Sequence, residues 1–157
     1  MFEVTHCYRC IYSWRPRRLP VKTCPRCKSR LWNTPRIRAK SAHPTGQGIE
    51  EVVRPKVRSI HRLARRFGVV ALRVFGSVSR GEATAASDVD VMFESRRPLG
   101  LLRRAEFREA LEEVLCRRVD LVREENLKWY IRPQAVADAV EIWRGPRRAP
   151  GTDRGHS

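Results

Sequence analysis

The chain has 157 residues and a formal net charge of +16, and hydrophobic residues make up 41% of it. This composition excludes a chain that is disordered throughout, because enough apolar residues are present to build a core. No run approaches the roughly 20 apolar residues of a membrane span, and the N-terminus lacks the apolar block of a secretory signal. We therefore expect a soluble cytoplasmic protein.

The positive charge is distributed unevenly. Residues 1–49 hold eleven Lys and Arg against one acid, residues 50–143 hold eighteen against fifteen, and residues 144–157 hold four against one. A basic segment favours an anionic partner, most often nucleic acid. A solubilising surface explains the same charge, so charge alone does not decide between the two interpretations.

The first predicted domain, residues 1–33, contains two Cys-x-x-Cys pairs, Cys7 with Cys10 and Cys24 with Cys27. Each pair can form a tight turn that points two thiolates at one ion, and four thiolates in a tetrahedron suit a structural zinc ion. So short a segment buries too little surface to fold alone, which favours a metal-stabilised module. Iron accepts the same four ligands, and the sequence does not separate the two metals.

The stretch "CYRCIYSWRPRRLPVKTCPRCKSRLW" resembles the zinc ribbon found at the start of many small prokaryotic proteins. Such ribbons bind DNA, RNA or protein, so the resemblance implies a fold and leaves the partner open. Trp14 and Trp32 can stack on bases. In so small a module we expect them instead to cover the metal site.

The rest of the chain divides into a linker, a larger domain and a tail. Residues 34–49 contain Pro, Gly and charge without apolar periodicity, which predicts a basic linker. Residues 144–157 are expected to form a disordered basic tail. Between them, residues 50–143 are expected to form an α/β domain. Its predicted elements are a helix from Val53 to Phe67, strands at 69–75 and 88–93, a helix at 101–118, a strand at 118–122, a helix near Pro133 and a strand at 140–143.

Cys116 lies at the end of the apolar stripe of the 101–118 helix. Free cysteine behaves as a small apolar side chain and is often buried. We therefore predict that Cys116 is buried in the core.

Two aspartates begin the second predicted strand of the larger domain. Asp88 and Asp90 are two residues apart and therefore point to the same face of the strand. Adjacent carboxylates repel each other unless a cation or water separates them, and their hard oxygen atoms suit Mg²⁺. Asp120 has the same alternation in the following strand. The three aspartates therefore share one face if the two strands are neighbours.

Gly76 and Ser77 follow the first predicted strand of this domain and precede a helix start. Glycine lets the backbone approach a ligand closely, and free N–H groups at a helix start attract phosphate. Arg80 adds a cation within one turn. Gly-Ser alone is a common turn, but together with three aspartates it predicts a nucleoside triphosphate site opposite a metal site. Glu82 and Glu94 flank this site and are expected to be solvated surface.

The stretches "FGSVSRGEATAASDVDVMFE" and "RVDLVREENL" resemble the minimal nucleotidyltransferases (MNT-type) of the DNA polymerase β-like superfamily over about residues 52–143. The resemblance implies a small polymerase β-like nucleotidyltransferase fold, a mixed sheet with flanking helices. It also implies that Gly76, Ser77 and Arg80 bind the triphosphate. In the same family pattern, two Mg²⁺ or Mn²⁺ ions are bound by Asp88, Asp90 and Asp120, and Asp120 helps to activate the nucleophile.

The predicted function is transfer of NMP, with AMP expected, from ATP or another NTP to a hydroxyl of a protein or an RNA. The resemblance implies pairing with a small helical HEPN-type protein, because some family members are antitoxins that attach AMP to such a partner. An antitoxin that acts mainly by binding its toxin is a second hypothesis. The alternative from another class is a zinc-ribbon nucleic-acid-binding regulator whose transferase domain is secondary or vestigial. The three aspartates argue against vestigial status.

Overall fold

The computed structural model describes residues 3–39 and 45–146. The predicted linker positions 40–44 and the predicted basic tail from residue 147 lie outside them. None of the helices in this part of the chain is long and apolar enough to cross a membrane. In chain order the elements are β1 (Thr5–His6), β2 (Ser13–Trp14), α1 (Ile49–Val52), α2 (Val57–Phe67), β3 (Val69–Phe75), α3 (Gly76–Arg80), β4 (Val89–Ser95), α4 (Leu101–Leu115), β5 (Val119–Val122), α5 (Arg132–Asp138) and β6 (Val140–Arg144).

Four strands form one mixed sheet in the order β5-β4-β3-β6. Strand β3 runs antiparallel to both β4 and β6, whereas β4 and β5 are parallel. The element types predicted for the larger domain are confirmed. The short strands β1 and β2 pair separately as an antiparallel hairpin in the cysteine-rich segment.

The predicted helix from Val53 to Phe67 consists of a 3-10 turn at Arg54–Lys56 followed by α2, and the separate short helix α1 precedes it. Pro55 lies in the 3-10 turn, where the lack of an N–H group prevents a continuous helical hydrogen-bond ladder. At the other end Gly68 stops α2. Gly68 takes the left-handed conformation (φ 71°), and its N–H group bonds to the carbonyls of the last helical turn.

The alternation of β4 separates an apolar face from an acidic one. Val89, Val91 and Phe93 are buried in the main core, which α2 and α4 cover. Met92 points to the opposite face and packs in a smaller cluster beneath α5. Asp90 shares this second face with Met92 because residues two apart in a strand point the same way.

Cys116 is exposed, so the prediction that it is buried is wrong. Helix α4 ends at Leu115, three residues earlier than predicted, and Cys116 is its C-cap. The backbone of Cys116 takes the left-handed conformation (φ 54°), which turns its side chain away from the apolar stripe of the helix.

The end of the predicted linker contacts the larger domain directly. The N–H groups of Gly46 and Gln47 donate to the carbonyls of Gly81 (2.8 Å) and Ala83 (2.7 Å). A Cβ at position 46 would collide with the backbone of Ala83, so this close approach requires glycine. The chain therefore lies against the loop after α3 before α1 begins.

Candidate active site

The register of the sheet places two of the predicted aspartates side by side. Asp90 on β4 pairs with Asp120 across the parallel β4–β5 ladder, and on its other side it pairs with Phe75 at the end of β3. Asp88 immediately precedes β4. The two aspartate strands are therefore neighbours, as the shared face requires, and the three acids lie at one end of the sheet.

The pKa of Asp90 is shifted by this arrangement. Burial, together with the negative charges of Asp120 and Asp88, raises the pKa of Asp90 to about 6, and the charge of Arg80 acts in the opposite direction. A carboxylate between two other acids is ionised at an energetic cost unless a cation compensates. The donor set consists of hard oxygen atoms, which fits Mg²⁺ or Mn²⁺.

Asp88 is exposed and forms an ion pair with Arg118. The guanidinium donates from Nε to Oδ1 (3.1 Å) and from Nη2 to Oδ2 (3.3 Å), and the Arg118 side chain is 82% exposed. Exposed pairs of this kind contribute about 0–1 kcal/mol. Arg118 can therefore be displaced from Asp88 by a ligand at little cost.

Gly76 lies against the carboxylate of Asp90. Its backbone takes a left-handed conformation (φ 72°), and a Cβ added there would collide with Asp90 Oδ2. Both features require glycine. Ser77 follows in the first turn of α3, and Ser79 Oγ donates to the Gly76 carbonyl (2.9 Å). The β3–α3 junction therefore lies beside the aspartates, as the sequence predicted.

Arg80 closes α3 and is held by two acids. Its Nη1 donates to Asp138 Oδ2 (2.5 Å) and its Nε to Glu82 Oε2 (2.8 Å). Glu82 was predicted to be solvated surface, but it is half-buried because it pairs with Arg80. Glu94 is exposed as predicted and pairs with Arg73 at 2.7 Å.

The sequence did not identify Asp138, the buried acid that holds Arg80. Asp138 is 1% exposed, and its second oxygen accepts from Gln134 Nε2 (2.7 Å). Both residues lie on α5, which packs against α3. A signal was available, because an aspartate inside the apolar run "AVADAV" must find a partner if it is buried.

Residues 57–142, more than half of the chain, match the family described as nucleotidyltransferase domain. The chain belongs to this family. The predicted class of enzyme, a nucleotidyltransferase, and the predicted α/β polymerase β-like fold are thereby confirmed. A fold of this kind uses an NTP as substrate together with a divalent metal ion.

Relatives of this nucleotidyltransferase include the protein adenylyltransferase MntA of Thermococcus cleftensis, which is 41% identical over 80 residues, 51% of this chain and 81% of that protein. A solved structure described as a minimal nucleotidyltransferase is 36% identical with a TM-score of 0.52, over 61% of this chain and 97% of the other. A chain in a toxin–antitoxin crystal structure with AMP-PNP is 25% identical with a TM-score of 0.50, over 57% and 73% of the two chains.

The four cysteines of the nucleotidyltransferase come together as predicted. All four Sγ atoms lie within 4.8 Å of one another, a closeness that no other group of three or more His, Cys, Asp or Glu side chains reaches within residues 3–39 and 45–146. Cys7 and Cys27 are separated by 3.7 Å between sulfurs, as are Cys10 and Cys24. Tetrahedral zinc, with Zn–S bonds of about 2.3 Å, requires sulfurs about 3.8 Å apart.

Two of these thiols, Cys10 and Cys24, have strongly shifted pKa values. Burial, together with hydrogen bonds to the neighbouring thiols, raises the pKa of Cys10 to about 12. At Cys24 burial also acts to raise the pKa, but hydrogen bonds from the N–H groups of Cys27 and Arg26 outweigh it and lower the pKa to about 7. Four thiolates this close repel one another, so full deprotonation requires a bound cation.

The two tryptophans of the cysteine-rich segment pack on each other. Trp14 meets Trp32 edge-on at a ring distance of 5.4 Å, and Trp32 Nε1 donates to the Val21 carbonyl (3.3 Å). This segment also contacts the larger domain. Trp129, between β5 and α5, packs against the rings of His6 (4.7 Å) and Tyr8 (4.9 Å), the residues on either side of Cys7.

Proposed function

We propose that this nucleotidyltransferase transfers AMP from ATP to a hydroxyl group of a partner protein. The observation that carries the proposal is the position of Asp90, which lies beside Asp120 and against Gly76. The likeness to the protein adenylyltransferase MntA supports both AMP and a protein acceptor. The likeness to a structure with AMP-PNP supports an adenine nucleotide. An RNA hydroxyl is the alternative acceptor.

In this proposal Asp88, Asp90 and Asp120 hold two divalent ions, Mg²⁺ or Mn²⁺. Bound ions of this kind stabilise negative charge at the reacting phosphate and favour ionisation of the acceptor hydroxyl. Asp120, which is exposed, takes the proton from that hydroxyl. The acceptor oxygen then attacks the α-phosphorus, the bond to the β-phosphate oxygen breaks, and pyrophosphate leaves.

Gly76, Ser77 and Arg80 bind the triphosphate in the same proposal. Gly76 places no side chain between the backbone and the ligand, and the hydroxyl of Ser77 has no hydrogen-bond partner among the residues that the structure describes. Ion pairs with Asp138 and Glu82 hold the Arg80 side chain in place. In this proposal Arg80 therefore contributes a positive charge at a fixed position.

Labelling tests the proposed reaction. Purified protein is incubated with α-labelled ATP, Mg²⁺ and a candidate acceptor, and label on the acceptor is measured. We expect labelling with wild type and with the control Glu109→Gln, an exposed helix position, and none with Asp90→Ala. Undiminished labelling by Asp90→Ala would rule the proposed site out.

We propose further that the acceptor is a small helical HEPN-type protein and that the chain acts as its antitoxin. The likeness to a chain in a toxin–antitoxin complex supports this partner. The neighbouring gene should then encode a short helical protein with an Arg-x4–6-His motif. Co-expression should yield a complex of the two chains, and a neighbour of any other kind that does not co-purify contradicts this part of the proposal.

Binding of Mg²⁺ should depend on pH through Asp90. The pKa of Asp90 is raised to about 6, so a proton occupies this carboxylate below pH 6 and competes with the metal. We expect the apparent affinity for Mg²⁺ to fall about tenfold between pH 7 and pH 5, one factor of ten for each pH unit below the pKa. Isothermal titration calorimetry at pH 5, 6 and 7 measures this, and an affinity that is flat over this range contradicts it.

We propose that the four cysteines hold a structural zinc ion in a ribbon formed by residues 1–33, with residues 34–49 as a linker to the catalytic domain at 50–143. Sulfur distances of 3.7 Å support this metal geometry. The purified chain should contain one zinc ion and no iron by elemental analysis.

Loss of the metal should unfold the ribbon and leave the catalytic domain folded. Zinc supplies the folding free energy of such small modules, whereas the larger domain has its own core. We expect a chelator, or Cys24→Ser, to change the fluorescence of Trp14 and Trp32 while far-UV circular dichroism keeps most of its signal. Cys116→Ser, which alters an exposed thiol outside the cluster, is the matched control. Unchanged tryptophan fluorescence after complete metal removal is the contrary outcome.

A second function, binding of single-stranded nucleic acid by the ribbon, is favoured by a groove of about 520 Å³. Tyr12 and Trp14 line it, stacked at 6.1 Å with an interplanar angle of 10°. Aromatic platforms beside cations bind unpaired bases and phosphates. The cations of the groove are Arg15, Arg17, Arg18 and Lys22.

The salt dependence of oligonucleotide binding tests this second function. The full chain and the Arg15→Ser/Arg17→Ser/Arg18→Ser variant are titrated into a labelled single strand at several salt concentrations. Loss of three phosphate contacts should lower the slope of log K against log salt by about 2, at roughly 0.7 for each contact. An unchanged slope contradicts the assignment.

A further inference from the structure

The far end of the main sheet carries a second cluster of charge. The aspartates lie where β3 ends, because Phe75 pairs with Asp90, whereas the opposite end of the same ladder is the pair Val69 and Ser95. Six residue steps along a strand correspond to about 20 Å. A group at the Val69 end is therefore well separated from the candidate active site.

A cavity of about 470 Å³ opens at this far end. Its apolar floor includes Phe67 and Leu99, and this size is within the range of ligand pockets. No acid is among its lining residues. Five arginines surround it: Arg65, Arg66, Arg96, Arg97 and Arg103.

Four of these five guanidinium groups contact carbonyls or aromatic rings rather than carboxylates. Arg103 donates to the Arg66 carbonyl (3.3 Å) and Arg96 to the Pro146 carbonyl (3.2 Å). Arg65 lies over the Trp143 ring at 5.1 Å. In the described ranges none of the five arginines takes part in an ion pair. Their charge is therefore available to an anion.

The cavity continues into a neighbouring one of about 230 Å³, which shares Arg65 and Arg96 with it and extends to Trp143 and Pro146. The two cavities are adjacent and form one groove. Planar guanidinium groups bind phosphate oxygens in pairs, and their flat faces can also stack on bases. A chain of phosphates with attached bases matches two adjoining cavities lined by five arginines better than one compact anion does.

We propose that this arginine groove binds the phosphate backbone of a single-stranded nucleic acid. The site is separate from the ribbon groove and from the proposed transfer reaction. The rest of the residue 50–143 segment is close to neutral, so attraction of a polyanion to this end of the domain comes from the five arginines.

The test uses the full chain carrying Arg15→Ser/Arg17→Ser/Arg18→Ser, which removes three of the four cations of the ribbon groove. In this background Arg97→Ser/Arg103→Ser is compared with Arg58→Ser/Arg62→Ser, which removes the same charge from exposed positions of α2 outside the groove. Binding of labelled single-stranded RNA, single-stranded DNA and inorganic triphosphate is measured against salt. Ultraviolet cross-linking then maps the bound strand.

We expect the groove variant to lower the salt slope for oligonucleotides by about 1.4, two contacts at roughly 0.7 each, and the α2 variant to leave it unchanged. Cross-links in the parent should map to the lining segments of the groove, residues 65–68 and 96–103. Equal loss in both variants, or no binding in the parent, overturns the proposal. Triphosphate binding as tight as oligonucleotide binding, with the same loss, assigns the groove to short polyphosphates and also overturns it.

Discussion

Asparagine at position 90 is expected to abolish nucleotidyl transfer and, at the same time, to stabilise the metal-free protein. Burial and the charges of Asp120 and Asp88 raise the pKa of Asp90. Its ionisation at neutral pH therefore destabilises the folded protein when no cation is bound. Asp90→Asn keeps the shape and removes the charge. Transfer should fall by about 10³-fold or more, because loss of a metal-ligating carboxylate removes several kcal/mol of transition-state stabilisation.

The sign of the stability effect follows from proton linkage. A folded-state pKa above the unfolded value means that the folded protein binds more protons between about pH 4 and pH 6, so stability falls as pH rises through this window. At pH 7 the whole penalty is present, and Asp90→Asn should remove about 1–2 kcal/mol of it after allowance for solvent screening. At pH 4 the variant and the wild type should be equally stable.

Urea unfolding in EDTA at pH 7 and pH 4, with label transfer measured in parallel, checks both parts. Glu109→Gln removes an acid from an exposed position of α4 and should change neither quantity. A variant that is less stable than wild type at pH 7 would show that Asp90 makes a net favourable contact in the metal-free state. Retained transfer would contradict the role of the carboxylate.

The acidic face was predictable from the sequence because strand alternation is a local property. Val89 and Val91 flank Asp90 in sequence, and burial of those two fixes where the aspartate points. The pairing of β4 with β5 joins distant parts of the chain, so the sequence analysis could only make the shared face conditional on these strands being neighbours. The register of Asp90 with Asp120 depends on the crossover through α4, which sequence periodicity does not measure.

The surroundings of Arg80 were not predictable in this way. The sequence placed Arg80 near the phosphates from its position after Gly76, yet the partners that fix it come from 2 and 58 residues away. The prediction that Cys116 is buried was wrong for a different reason, because a residue in the left-handed conformation, Cys116 itself, ended α4 early. Periodicity describes the body of a helix, whereas its last turn depends on single backbone conformations.

Loss of Asp138 is the second change expected to have a large effect. The carboxylate is 1% exposed and bonds to Arg80 at 2.5 Å and to Gln134 at 2.7 Å. Removing one partner of a buried ion pair costs about 3–5 kcal/mol, and because Arg80 keeps Glu82 as a second partner the lower end of that range, about 3 kcal/mol, applies here. We expect Asp138→Leu to lower the free energy of unfolding by this amount. Urea denaturation measures it, and Asp153→Leu, in the predicted tail, is the control.

A double substitution separates the structural role of this pair from the proposed function of Arg80. Replacing both partners of a buried pair by apolar side chains of similar size is often neutral, so Arg80→Met/Asp138→Leu should recover most of the stability that Asp138→Leu loses. If Arg80 presents its charge to the triphosphate, the stable double variant should still transfer AMP poorly, with a KM for ATP raised at least tenfold. Recovery of stability together with wild-type KM would restrict Arg80 to a structural role.

Because Asp138 touches Arg80 and not the aspartates, it acts as a positioning residue. Lys at position 80, which keeps the charge but not the two-acid geometry, should therefore give an intermediate KM.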